Sequence, residues 1–311
     1  MNLIKHFKYS YVFASFFIFL PACSSSKPDF KEINSIQEIK TIFEQASQND
    51  LFVFDIDDTI LESSEPIRQL RFTNNTELQK IKDSFREFMK KKYNSTESLT
   101  LFLKNRELKN KIQPVEKALI ENILALQKKK IKIIALTMRN IGGEERYQQL
   151  LSLGLDFSHS FEQNFSFDEL QKTEYATKYK TAKEIDTNPA IFYKGVAFTG
   201  SFSKGVVLKI FLEKLSWKPT QIYFFDDKPE NADSVSQEME KMGIKCQTFV
   251  YRAAFANRSD NDLDLEVARF QVELMKQRDD NDYVDYFEAK EILQQQKGDH
   301  KTQALPIQIT P

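Results

Sequence analysis

The chain has 311 residues, 41% of them hydrophobic, and its 44 Lys plus Arg against 45 Asp plus Glu give a formal charge of −1. That length and apolar content suffice for one large core, or for a core plus a small second domain. The balanced charge excludes a global electrostatic attraction to nucleic acid, and the scattered His6, His159 and His300 match no zinc-ligand spacing.

The N-terminal MNLIKHFKYS carries Lys5 and Lys8, and YVFASFFIFLPAC follows as a short apolar run ending in small residues. This is the pattern of a secretory signal. About 12 apolar residues fall short of the ~20 that span a bilayer, which favours cleavage over an uncleaved anchor. Leu20-Pro21-Ala22-Cys23 also resembles the bacterial lipobox, with Pro21 as a departure. The resemblance implies a signal over residues 1–22, Cys23 as the lipidated first mature residue, and membrane attachment through that lipid. Residues 23–35, which include SSSKPDFK, read as a polar tether. In bacterial lipoproteins an aspartate after the cysteine signals inner-membrane retention; Ser24 stands here, which implies the periplasmic face of the outer membrane. Cys246 is the other cysteine, so no intramolecular disulfide is available unless Cys23 escapes lipidation. Its setting, KCQTFV, predicts a buried thiol on a strand.

Ile36, Ile39, Ile42 and Phe43 have helical spacing, and LFVFD predicts a buried strand ending at Asp55. Leu78, Ile81, Phe85 and Met89 mark an amphipathic helix capped near Asn75, and a second helical stretch lies around Leu99–Leu108. Pro114 falls where a first helical turn tolerates proline, ahead of the apolar face Val115, Leu119, Ile123 and Leu126. The run Lys128–Lys130 reads as a solvated helix end. IKIIALTMRN predicts a strand stopping at Thr137, and EERYQQLLSLG a helix terminated by Gly154. AIFYKGVAFTG reads as an extended segment or hairpin before a helix through Val207, Ile210, Phe211 and Leu215. QIYFFDDKPEN is again an apolar strand ending in acids, KCQTFVYR is one more strand, and Leu263–Lys276 and Val284–Gln295 are terminal helices.

Alternating strands and helices predict an α/β fold with a mainly parallel sheet covered on both faces. Ligands of such sheets bind beyond the carboxyl ends of the strands. Asp55 and Asp57, Thr137, and Asp226 and Asp227 all fall at such ends, which independent surface turns would not be expected to arrange.

The set Asp55-Ile-Asp57-Asp-Thr59, Thr137, Lys204-Gly205 and Asp226-Asp227 resembles, in order, the four motifs of the haloacid dehalogenase superfamily. The resemblance spans roughly Leu51 to Arg252 and implies a Rossmann-like core. It implies phosphoryl transfer in which Asp55 attacks phosphorus and Asp57 acts as general acid, then base. The second aspartate marks the family's phosphatases and disfavours dehalogenation. Mg²⁺ would be held by Asp55, the backbone carbonyl of Asp57 and a carboxylate of the Asp226/Asp227 pair. Asp227 is preferred as the direct ligand, with Asp226 orienting Lys204, and the resemblance leaves the order within the pair open. Thr137 would donate to a phosphate oxygen, and Lys204 would neutralise charge from a helix start. Lys209 and Lys194 are rivals for that role, and Lys204 is preferred because Gly205 and an apolar helix follow it. Thr59 and Asn231 are candidate supporting residues, and Arg139 and Asn140 could face substrate or lie in a surface loop.

In the same reading, residues 36–61 and 114–255 form the core, 62–113 a small helical cap inserted after the first strand, and 256–311 a C-terminal helical extension and tail. Class C acid phosphatases, which are secreted and lipid-anchored, carry a second motif like Thr137-Met-Arg139. Their fourth motif differs from FFDDKPEN, and the overall layout looks more like a group of bacterial envelope proteins of the same superfamily. The expected function is a Mg²⁺-dependent, lipid-anchored phosphomonoester hydrolase of the bacterial envelope acting on a small phosphorylated substrate. The alternative is a catalytically silent binding or effector protein on the same fold.

Overall fold

The computed structural model describes residues 30–93, 95–138, 142–171, 189–256, 263–278 and 283–303. The expectations for the signal segment, lipidated Cys23 and Arg139–Asn140 lie outside them. The strands are β1 (Phe30–Ile33), β2 (Asp50–Phe54), β3 (Leu61–Ser63), β4 (Ile112–Pro114), β5 (Lys132–Thr137), β6 (Phe165–Ser166), β7 (Ile191–Tyr193), β8 (Val196–Phe198), β9 (Gln221–Asp226) and β10 (Cys246–Tyr251). The helices are α1 (Lys40–Gln45), α2 (Thr76–Lys92), α3 (Thr96–Lys109), α4 (Lys117–Lys128), α5 (Gly143–Ser152), α6 (Lys204–Lys214), α7 (Pro229–Lys241), α8 (Leu265–Gln277) and α9 (Tyr286–Gln303). Among the described residues no helix is long and apolar enough to cross a membrane.

The fold is α/β, with an eight-stranded sheet in the order β1-β10-β9-β2-β5-β8-β7-β6. It is parallel from β1 through β8, and antiparallel pairing attaches β7 and β6 at the far edge. Central β2 is buried on both faces, which is why its sequence is continuously apolar rather than alternating. Phe52 and Phe54 join Phe225 and Phe249 beneath Ile39, Phe43, Leu119 and Ile123 of the α1 and α4 side. Leu51 and Val53 point the other way, into Val207, Phe211, Val235 and Met239 of α6 and α7. This is a Rossmann-like layering. Its chain order reverses direction at β2, with β5 on one side and β9 on the other, so a crevice opens at the carboxyl end of β2.

Most of the expected elements are present, and the differences have physical causes. Residues 30–35 are not tether: Phe30 to Ile33 pair with Thr248 to Tyr251, and Ile33 and Ile36 are fully buried. A strand this short, bearing Lys31 and Glu32, lacks a readable apolar run. Pro114 closes strand β4, paired to Leu61, rather than opening a helix, and α4 begins at Lys117. AIFYKGVAFTG is the hairpin alternative, turned through Lys194 and Gly195 at positive φ. Cys246 begins β10 only half-buried, not as an interior thiol.

The segment 62–113 and the C-terminal helices are not separate parts. The antiparallel pair β3/β4 forms a neck, and beyond it α2 and α3 pack on α8 and α9 as one helical lobe. Asn75 caps α2 by accepting from the Leu78 amide at 2.9 Å. The α2 face of Leu78, Ile81 and Met89 needs more cover than α3 supplies, and Val267, Val272 and Met275 of α8 complete it. Glu65 pins the two pieces: its buried Oε2 accepts from Gln271 Nε2 (2.9 Å), Tyr283 Oη (2.9 Å) and the Tyr286 amide (3.1 Å).

Candidate active site

Asp55 follows β2 directly, and its amide extends the ladder to the Phe225 carbonyl at 2.8 Å. The chain then turns sharply, with Asp58 at φ +62° and its amide donating to the Leu61 carbonyl at 2.7 Å. Asp55 and Asp57 are thereby held at the strand end. Thr59 is fully buried in this turn, and its hydroxyl lies 3.4 Å from Asp55 Oδ2. Thr137 ends the neighbouring β5 and places Oγ1 3.5 Å from Asp57 Oδ2. Asp226 ends β9 on the other side, with Asp227 next to it.

Lys204 opens α6 and reaches back beneath the crevice. Its Nζ donates to Asp55 Oδ1 and, at 2.7 Å, to Asp226 Oδ2, with the lysine side chain only 1% exposed. Burial disfavours its charge, but the Asp226 and Asp55 carboxylates outweigh that and hold its pKa above the ordinary lysine value. Neither rival lysine competes: Lys194 pairs with Glu144 at 2.9 Å beside the β7–β8 turn, and Lys209 lies near Glu213 along α6. Gly205 sets the seat of Lys204. A Cβ there would stand 2.1 Å from the Ser234 carbonyl oxygen, so glycine is what lets α6 close on α7. Gly205→Ala is expected to cost about 1–3 kcal/mol, as overpacked sites do. Thermal denaturation checks this, and an unchanged midpoint would show that α7 yields without strain.

The acidic pair divides its work. Asp226 Oδ1 accepts from Asn231 Nδ2 (2.9 Å) and the Lys228 amide (3.0 Å), while Oδ2 holds Lys204, so both oxygens are engaged. No hydrogen bond to the Asp227 carboxylate is made among the described residues. Asp55, Asp226 and Asp227 each bring an oxygen within 4.8 Å of the others. Burial pushes Asp55 up to about 7 against the opposing charge of Lys204, with Asp226 and Asp57 adding to the rise. Asp227 is also pushed up to about 7, by burial and then by the neighbouring Asp226 charge. An all-oxygen donor set with too little positive charge fits a hard divalent cation such as Mg²⁺. The Asp57 carboxylate is not part of this group and is held instead by Arg146.

One residue at the site escapes motif reasoning. Arg146 of α5 donates through Nη2 to both oxygens of Asp57, at 3.2 and 3.0 Å, and its side chain is 1% exposed. Helical spacing carries a signal for it: Arg146 stands four residues before Leu150, so it lies on the buried face of α5. Lys228 and Met138 also line the crevice, a cavity of about 270 Å³ walled by Asp55, Asp57, Thr137 and Lys204.

A relative from Chlamydia pneumoniae, named "Putative outer membrane protein", is 24% identical over 240 residues, covering 76% of this chain and 83% of its own length. No solved structure matches the chain significantly. A family model described as "Protein of unknown function (DUF2608)" matches residues 32–283, which takes in the sheet, the acidic crevice and most of the helical lobe. The chain belongs to the DUF2608 family.

Proposed function

We propose that this protein is a Mg²⁺-dependent phosphomonoester hydrolase of the haloacid dehalogenase type. The observation that supports the reading is that Asp55 and Asp57, Thr137, and Asp226/Asp227 stand at three adjacent strand ends around one crevice, with Asp55 and Asp226 paired to the buried Lys204. Asp55 Oδ1 is held by Lys204, so Oδ2 is the attacking oxygen. It forms a bond to phosphorus as the ester P–O bond breaks, and Asp57 gives its proton to the departing alkoxide. A water then attacks phosphorus, loses a proton to Asp57, and the bond to Asp55 breaks to release inorganic phosphate. Thr137 donates to a phosphoryl oxygen and Lys204 offsets the charge of the nucleophile. Asp55, Asp227 and the Asp57 carbonyl would hold the metal, while Asp226 spends its oxygens on Lys204, Asn231 and Lys228. When bound, Mg²⁺ supplies the positive charge that balances the phosphoryl oxygens.

Arg146 acts through Asp57, as a positioning residue. Arg146→Met is expected to lower kcat about 10²–10⁴-fold, the span of a displaced general acid, with KM changed far less. Steady-state kinetics check this, and an equal loss in kcat/KM through KM alone would instead place Arg146 in substrate binding.

An envelope location is part of the proposal. It is supported by the signal-like N-terminus and by the name of the Chlamydia pneumoniae relative; attachment through a lipid on Cys23 rests on the lipobox resemblance. The deciding experiment is phosphate release from a phosphomonoester panel, with Mg²⁺ and with EDTA. Metal-dependent release supports the hydrolase. Folded protein that binds Mg²⁺ yet stays silent across the panel would favour a binding protein on this fold.

A further inference from the structure

The helical lobe contains a cavity of about 580 Å³, larger than the acidic crevice and formed by other residues. Its interior is apolar: Ile67, Phe85, Met89, Leu99, Leu103 and Met275 supply the walls. Its charged lining is of one sign, with Gln271 and Tyr283 as neutral polar members. Arg68, Lys82, Arg86, Lys90 and Arg106 stand around it, and among the described residues no Asp or Glu lines it.

Among the described residues these cations have few acidic partners, with Glu65 bonded to the lining residues Gln271 and Tyr283. Arg68 and Arg106 share one carboxylate, Glu107 Oε1, at 2.8 and 3.0 Å. Arg68 Nη1 and Arg106 Nε are buried without an acceptor among the described residues, which leaves two donors whose desolvation is uncompensated. Arg86 turns to Asp83 at the surface, while Lys82 and Lys90 have no acidic partner among the described residues. Lys82 is held below the ordinary lysine pKa by burial and by the Arg86 charge, with no carboxylate raising it.

The size sets the ligand class. Small-molecule sites commonly enclose about 300–1,000 Å³. Two turns of a peptide helix about 10 Å across occupy roughly 850 Å³, so a helix would seat only in part. We propose that this cavity binds a single-chain amphiphile with an anionic headgroup, the acyl chain lying between α2, α3 and α8 and the headgroup on the Arg68/Arg106 and Lys82 side chains. The flexible methionines of the wall, Met89 and Met275, suit a chain of variable length. Asp55, Thr137 and Lys204 line a different cavity, while Arg68 also borders a small cleft shared with Asp57 and Asp58.

Calorimetric titration of the whole chain with n-alkyl carboxylates and n-alkyl phosphates, below their micellar concentrations, tests the proposal. Affinity should rise about fourfold per added methylene until the cavity is full. An alkyl trimethylammonium of equal length should bind at least tenfold more weakly. The carboxylate and phosphate arms separate a fatty acid from a lipid phosphate as the preferred headgroup. Lys82→Gln should weaken both anionic series, and Leu103→Trp should shorten the longest chain that still gains affinity; because Lys82 is only half-buried, the first variant keeps the test valid if the second misfolds. Headgroup-independent binding, or affinity that ignores chain length, would overturn the proposal. So would displacement of a bound alkyl chain by a peptide of residues 11–22 at equal or lower concentration, which would make the cavity a seat for that segment.

Discussion

Asp55→Asn is expected to abolish phosphate release, with kcat falling by at least about 10³-fold, while the protein folds and melts no lower than wild type in EDTA. The amide is isosteric with the carboxylate but cannot attack phosphorus, so the covalent path is closed. The stability half of the prediction follows from burial. Asp55 lies 6% exposed among Asp57, Asp226 and Asp227, with Lys204 as its contacting cation. Its carboxyl is pushed up to about 7, which marks the charged form as disfavoured in this environment. Neutralising it relieves repulsion and leaves Lys204 paired to Asp226. Single-turnover phosphate release with Mg²⁺, alongside melting in EDTA, checks both halves. Metal-dependent turnover at wild-type rate in the variant would remove Asp55 from the nucleophile role and with it the hydrolase mechanism.

Lys204→Met carries the opposite sign for stability. Here the cation is lost, and the side chains of Asp55 and Asp226, 8% and 0% exposed, face each other without it. Breaking a buried pair by removing one partner costs about 3–5 kcal/mol, since the remaining charge has neither water nor counter-ion. For a chain of this size each kcal/mol lowers Tm by about 2–4 °C, so a drop of roughly 6–20 °C is expected in EDTA. Mg²⁺ should recover part of it, because a divalent ion on Asp55 and Asp227 restores positive charge to the same cluster. A midpoint in EDTA equal to wild type would mean that the carboxylates are already neutral in the fold, and that Lys204 does not compensate them. Removing the cation thus lowers stability while neutralising the carboxylate does not, a pattern that general damage to the sheet would not produce.

The sequence by itself determined the layering and the ends of the central strands. LFVFD, IIALT and IYFFD are almost wholly apolar runs because helices cover both faces of a parallel sheet, and each run stops at a polar residue at the carboxyl end of its strand. Backbone chemistry also made local features legible: the Asn75 cap, the terminator Gly154 at φ +80°, and the glycine after Lys204. Tertiary structure alone decided the rest, because those features depend on contacts between distant segments. The Asp57 clamp comes from Arg146 across 89 positions of chain, and the division between Asp226 and Asp227 depends on where Lys204, Asn231 and the Lys228 amide arrive. Strand β1 is too short to carry periodicity and exists through its pairing with β10. The helical lobe forms because α2 exposes more apolar surface than its own segment can bury, and only three-dimensional packing brings α8 and α9 to cover it and leaves the cation-lined cavity between them.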